Sequence, residues 1–344
     1  MKAKLFAYGG GALMLLLLSV TLSLSFGSAQ VPIGDVWRIL FHAIPGIGDS
    51  IQPDWSPSDE SIILKVRLSR VVLAILVGAS LAIAGAGFQA VLRNPLADPY
   101  TLGVASGASV GAAFIILFGL QTFIGQWSIP VVAFTTGMTT LFIVYKLAST
   151  QGKSQLETLI LSGVVVQAFL GAFVSFMVSL SGEVVNEILY WLMGSLSMRN
   201  WDYSLLLLPY LGVVVVILIG FSRSLNLLAL GERQAAHLGV HVERTKLIVL
   251  VVSTLVTAAA VSVSGVIGFV GLVVPHLVRL IVGPDYRIII PISTIVGGIY
   301  VLWADTIARI ALSPREIPLG VVTAIIGAPF FAYLLNKHKH KSRG

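Results

Sequence analysis

Along most of the chain apolar residues come in unbroken runs, without the strict alternation of a half-buried strand or the single stripe of a soluble amphipathic helix. Ten runs stand out, at roughly 5–27, 66–91, 100–120, 127–149, 156–180, 203–222, 245–264, 266–283, 288–308 and 317–335. A bilayer core about 30 Å thick takes roughly 20 apolar residues per helix, and only helices or closed barrels satisfy their own backbone in lipid. The pattern therefore predicts an all-α polytopic membrane protein of ten transmembrane helices, a single transmembrane domain over residues 1–344. Thr245 to Gly283 would measure about 58 Å as one helix, nearly twice the core, so the chain must turn around Ser264, Gly265 and Gly268.

The polar interruptions give the second layer. Residues 28–65 form the longest one, with the Pro-, Asp- and Ser-rich "PGIGDSIQPDWSPSDES", and are expected to be an extracytoplasmic loop. Between Ser181 and Asp202, Trp and Tyr suit a helix at the membrane interface. "NPLADP", Asn94 to Pro99, reads as a turn between the second and third spans. The most highly charged stretch, "LALGERQAAHLGVHVERTK", lies between the sixth and seventh spans.

Composition agrees with the pattern: 56% of the residues are hydrophobic and only 11% charged, against about 25% charged in soluble domains. With both termini in the cytoplasm, 15 of the 22 Lys and Arg fall on the cytoplasmic side, as the positive-inside rule asks. The +7 net charge thus belongs to a membrane orientation, and nucleic-acid binding is not needed to explain it. The first run exceeds the length of a signal-peptide core and is expected to be retained, although "MKAK" precedes it and "GSAQ" follows. The absence of cysteine excludes disulfides and thiolate metal sites.

Several motifs lose their chemical reading in this setting. "GASVG", Gly107 to Gly111, fits a nucleophile elbow around Ser109, but that motif needs a strand-to-helix turn. Gly103, Gly107 and Gly111 read better as two steps of helix packing. "LASTQGKS" ends like a phosphate-binding loop, yet lacks its first glycine and a leading strand, so no ATP site is expected in this chain. His237 and His241 lack a carboxylate to complete a metal site, and no metal is expected; "KHKHK" reads as a solvated basic tail. Asp98, Glu157 and Asp305 sit near span ends or in loops, so no embedded acid offers ion coupling. A membrane body without its own energy source needs a handle for one. Residues 224–242 could supply it as a short cytoplasmic helix that docks on a soluble partner, with Leu225, Leu228, Leu238 and Val240 as apolar contacts, Glu232 and Arg233 as polar ones and Gly231 and Gly239 as breakers; the plainer alternative is a helix lying in the headgroups.

"GASLAIAGAGFQAVLRNPLADPYTLGVASGASVGA", "LALGERQAAHLGVHVERTK", "GVIGFVGLVVPHLVRLIVGPDYRIIIPIS" and "ADTIARIALSPREIPLGVVTAIIGAPFFAYLL" resemble, in the same order, the characteristic stretches of the iron-siderophore and cobalamin uptake permeases of ABC importers, the FecCD type. The resemblance implies a ten-span permease in the bacterial cytoplasmic membrane, paired with a second copy or a paralogue. It further implies two cytoplasmic ATPases, which bind ATP and Mg while this chain binds no cofactor, and an extracytoplasmic binding protein or lipoprotein. Residues 224–242 would then be the coupling helix that docks on the ATPase, His237 among its contacts. Gly163, Gln167, Gly171 and Ser175, every four residues along the fifth span, would line the pathway, although small residues also serve packing. Arg67, Arg70 and Arg309 would meet carboxylates of the binding protein, although Arg67 and Arg70 could merely snorkel and Arg309 could pair with Asp305. Ferric siderophore is the expected cargo, with cobalamin or haem as alternatives. A secondary carrier, or an intramembrane hydrolase built on Ser109, remain the competing classes.

Overall fold

The computed structural model describes residues 2–27, 31–150, 153–154 and 156–341; of "GSAQ" and "LASTQGKS" it describes only part. The chain opens with α1 (Lys2–Ser25), α2 (Ile33–His42) and α3 (Pro57–Ser61), which passes through a π-helical stretch at Ile62–Arg67 into α4 (Leu68–Leu92). After a 3-10 turn at Pro99–Leu102 come α5 (Val104–Leu117), α6 (Gln121–Ile124), α7 (Ser128–Ala148) and α8 (Leu156–Leu180). Then follow α9 (Val185–Leu192), α10 (Trp201–Leu228), α11 (Glu232–His237), α12 (Val242–Ser264), α13 (Val270–Val282), α14 (Tyr286–Ile310) and α15 (Leu319–Lys341). The extended backbone among the described residues is one short antiparallel pair, Ser149–Thr150 with Lys153–Ser154.

Among the described residues, seven helices are long and apolar enough to cross a membrane: those holding Ala3–Ser25, Pro57–Leu92, Ser128–Ala148, Glu157–Leu180, Trp201–Leu228, Val242–Ser264 and Tyr286–Ile310. The run expected at 317–335 lies in α15 from Leu319 on, whereas those at 100–120 and 266–283 form shorter apolar helices, Val104–Leu117 and Val270–Val282. Their starts explain the shortening. Asp98 caps the Pro99–Leu102 turn and Gly103 takes φ 77°, so α5 begins late. Gly265 at φ 71° and Phe269 at φ 68° hold residues 265–269 out of helix, which delays α13 and supplies the turn required between α12 and α13.

Helix α4 is the axis of the molecule. It packs against α14, α12, α10 and α13, and every residue from Leu76 to Leu92 is buried. Small residues allow this. A side chain at Gly78 would strike the Gly297 carbonyl, and one at Gly85 the Gly271 carbonyl, so backbones approach where no hydrophobic force drives helices together.

Irregular backbone at this depth must find partners, and it does. Pro275 has no N–H to offer the Gly271 carbonyl; Gln89 Nε2 donates to it instead at 3.2 Å, and to Leu272 O at 3.1 Å. Tyr100 Oη donates to Ile267 O at 3.0 Å and accepts from Ile267 N at 3.3 Å. The Ser195 N–H donates to Ser264 O, while the first amides of α15, Leu319 and Gly320, donate to Gly194 and Met193 carbonyls.

Candidate functional site

Each end of α4 carries a cluster of paired charges. At its Arg93 end, α10 continues as helix to Leu228 before the chain turns through Ala229 to Gly231. The segment expected over 224–242 is thus divided: its first residues belong to α10, and the separate helix is Glu232–His237. Gly231 at φ 120° and Gly239 at φ 86° make the two turns, conformations that other residues adopt only with strain. Leu228 and Ala235 are buried in the body. Glu232 does not face outward freely: its carboxylate lies 3.2 Å from Lys246 Nζ and 3.8 Å from Arg93 Nη2. Lys246 also meets Glu243 at 2.9 Å. Leu230, Arg233, Gln234, His237, Leu238 and Gly239 remain exposed, so the helix is clamped on one side and presents a mixed face on the other.

Beside it, Asn226 Nδ2 donates to Asp285 Oδ1 at 2.7 Å, and Asn226 Oδ1 accepts from the Tyr286 N–H at 2.8 Å. The Arg287 hydrogen bond holds the Asp285 carboxyl down at about 2. A cleft of about 580 Å³ between Lys4, Asn226, Leu230, Asp285 and Ile288 adjoins the segment. In the loop after α4, burial pushes the Asp98 carboxyl up to about 6, against the opposing hydrogen bond from the Tyr100 N–H.

At the other end of α4 the arginines turn inward. Arg70 donates through Nε and Nη2 to Asp305 at 2.9–3.0 Å and through Nη1 and Nη2 to Glu316 at 2.9 and 3.0 Å, a double fork of the kind guanidinium geometry favours. Arg309 Nε lies 3.2 Å from the same Asp305, and its Nη2 donates to Ser23 Oγ at 3.0 Å. Arg67 Nη1 donates to the Leu24 carbonyl at 2.7 Å. Arg67 is 5% exposed and Asp305 is fully buried. Docking through these three cations would require exchanging internal partners for external ones. The sequence offered Asp305 as a span-end acid and as a partner of Arg309 four residues on; the pairing is present, but the acid is fully buried among arginines instead of lying free at the span end, and Glu316 was not singled out.

The four residues of the α8 stripe do not share one environment. A side chain at Gly163 would strike the Thr101 carbonyl, whereas one at Gly171 would meet nothing. Gln167 and Ser175 are exposed, Ser175 Oγ donating to Gly171 O at 3.0 Å. Gly163 is thus a packing position, and the other three lie on an open face. On α5, side chains at Gly107 or Gly111 would strike Thr140 and Thr136 of α7, and Gly103 also lies against Thr140. Ser109 is buried in the same helix, its Oγ donating to Ala105 O at 2.8 Å. His237 ends α11 and His241 precedes α12.

Comparison with known proteins aligns this architecture with a transporter family. The model of the FecCD transport family matches residues 15–337. The chain is 43% identical to the uncharacterized ABC transporter permease YvrB of Bacillus subtilis, over 95% of this chain and 93% of that one. It is also 43% identical to the cobalamin import permease BtuC of Halobacterium salinarum, over 89% and 85% respectively. A solved ABC transporter in an inward-facing conformation, assigned to the metal-chelate type, superposes with a TM-score of 0.82 at 33% identity, covering 98% of this chain and all of that one. Relatives at 34–39% identity are named for hemin, Fe(3+)-citrate, iron(3+)-hydroxamate and molybdate import.

Proposed function

The chain belongs to the FecCD transport family and is a multi-pass ABC importer permease, and from that premise we propose that it carries ferric siderophores across a bacterial cytoplasmic membrane. It works as one of two permease chains, the second a copy or a paralogue. Two cytoplasmic ATPases bind ATP and Mg, and an extracytoplasmic binding protein delivers cargo; this chain holds no cofactor. All ten apolar helices span or enter the bilayer, both termini face the cytoplasm, and ATP-driven closure of the ATPases changes which side of the pathway between the permeases is open.

One observation carries the proposal: α11 is clamped to the ends of both α4 and α12 through Glu232, Arg93 and Lys246, while Arg233, His237 and Leu238 face outward. A partner pressing on that face would push directly on the most deeply packed helix. Arg233→Glu with Leu238→Asp should abolish co-purification of the ATPase and ATP-driven uptake while the permease still inserts; undiminished ATPase binding and uptake would overturn the assignment. Uptake that survived ATP depletion would instead indicate a secondary carrier.

For the pathway, Gln167, Gly171 and Ser175 are the proposed lining, with Gly163 as the packed end of the stripe. Cysteines at the three open positions should react with water-soluble thiol reagents in a nucleotide-dependent way. Binding-protein docking is proposed at the Arg67, Arg70 and Arg309 end, with partner carboxylates replacing internal acceptors. For cargo, a ferric hydroxamate or catecholate should quench the fluorescence of the cognate binding protein. Cobalamin or haem is the second reading, favoured by the relatives named for them; quenching by either and not by an iron chelate would establish it.

A further inference from the structure

Helix α2 has three distinct faces. Val36 and Ile39 are buried against the body, where the helix packs on the Ile62–Arg67 stretch and on α1. Arg38 and His42 turn toward the following segment: Arg38 pairs with Asp54 at 2.6 Å and lies over the Trp55 ring, while His42 Nδ1 contacts Gly48 O at 3.1 Å. That segment carries Asp49, Asp54, Asp59 and Glu60, charges that require water. The third face holds Ile33, Trp37 and Phe41, which fall within about 80° of the helix circumference at 3.6 residues per turn. Ile44 and Ile47 extend it past the C-terminus, and all five are at least 40% exposed.

A water-facing loop helix has no use for such a stripe, and an ordinary core helix would bury it. A helix lying flat beside a membrane bundle needs all three faces: one for protein, one for water and one for lipid. We propose that α2 is an interfacial helix that sinks Ile33, Trp37, Phe41, Ile44 and Ile47 into the headgroup and acyl boundary of the leaflet at the Arg70 end of α4. Continuity with the membrane surface places it there. The apolar crossing helix α1 ends at Ser25, eight residues before Ile33, and its Leu13, Leu15, Leu17 and Leu18 form an exposed apolar surface below. The level is marked independently by Trp201, itself partly exposed, whose Nε1 donates to Leu64 O at 3.2 Å in the stretch that α2 packs against. Tryptophans gather at this depth because the ring is apolar and the N–H is polar. Trp37 and Phe41 stack with ring centroids 5.5 Å apart, giving the stripe a stiff aromatic centre.

The absence of cysteine in the sequence makes the test direct. Single nitroxide labels at Trp37→Cys, Phe41→Cys and Ile44→Cys, in the intact transporter in phosphatidylcholine nanodiscs, should collide with oxygen several-fold more, relative to a water-soluble nickel chelate, than labels at Asp35→Cys, on the Arg38 and His42 side of the helix, and Asp49→Cys. Equal nickel access at all five positions would overturn the proposal and leave the stripe as an open protein-docking surface. Protection of the stripe from both reagents would also overturn it and point to a second copy as the cover. Should the cysteine variants fail to assemble, lipids brominated near the glycerol end of the acyl chains provide the second measurement. They should quench the native tryptophan emission by a larger fraction than that of Trp37→Phe; equal fractions would place Trp37 outside the bilayer.

Discussion

The two ends of α4 use charge in opposite ways. At one, Arg70 and Asp305 are 11% and 0% exposed in their side chains, and the pair is closed by Arg309 and Glu316. At the other, Arg93 and Glu232 are 42% and 34% exposed and only 3.8 Å apart at best. A buried pair gains strength from its low-dielectric surroundings but makes each partner indispensable, because a charge left alone cannot be rehydrated. An exposed pair gives little and is easily exchanged. The first arrangement ties α1, α4, α14 and the start of α15 together and yields only to a partner that supplies a carboxylate for each acceptor it displaces; the second suits a surface from which force is received.

The contrast can be broken most severely at Asp305. Asp305→Ala removes the buried carboxylate shared by Arg70 and Arg309, leaving Arg70 to Glu316 and Arg309 to neutral oxygens such as Ser23 Oγ, and should cost about 3–5 kcal/mol, read as a large fall in the thermal midpoint of the detergent-solubilised permease. A shift no larger than that of a surface mutant would mean that the network is open to water. Glu316→Gln is the finer probe. It leaves the Asp305 fork intact and removes one charged acceptor whose side chain is 39% exposed, so the loss should be about 1–2 kcal/mol. Full uptake with lowered stability would mark Glu316 as a joint, whereas lost docking at unchanged stability would make it part of the binding-protein surface.

At the exposed end stability and function should separate. Glu232→Gln removes contacts to Arg93 and Lys246, and with a third of the side chain in solvent the cost should be about 0.2–1 kcal/mol. ATP-driven uptake should nevertheless drop several-fold, because α11 loses its tie to α4 and α12. If uptake holds, motion passes into the body by another route.

Local signals carried most of what could be read along the chain. Length and unbroken apolarity marked the crossing helices, the GxxxG steps marked the side of α5 that meets α7, and Gly231 with Gly239 marked the turns around α11. What stayed hidden depended on partners distant in sequence. Arg70 finds Asp305 and Glu316 across 235 and 246 positions, and no local pattern distinguishes such an arginine from one that snorkels. The α8 stripe failed differently. Gly163 and Gly171 are equivalent by spacing, but the Thr101 carbonyl beside the first separates them, and the place of a 3-10 turn is a tertiary fact.

The smallest expected effect tests whether exposed charge at the Arg93 end is as weak as the comparison requires. Asp285 is held at about 2 by Arg287 first, with Asn226 and the Arg287 N–H assisting, below the ordinary carboxylate value of about 3.9. A carboxyl with a depressed folded value stabilises the fold while ionised: its contribution is complete above about pH 5 and is lost as pH falls through about 4 toward 2. With a quarter of the Asp285 side chain and over a third of Arg287 in solvent, screening cuts the contribution to about 0.5–1 kcal/mol. Asp285→Ala should therefore lower the thermal midpoint by a small, constant amount between pH 5 and 8, and the gap from wild type should narrow steadily below pH 4. Added salt should shrink the gap at neutral pH. A gap that instead grew to several kcal/mol and ignored salt would mean that Asp285 is sealed from water, as Asp305 is, and the distinction between the two ends would fail at this residue.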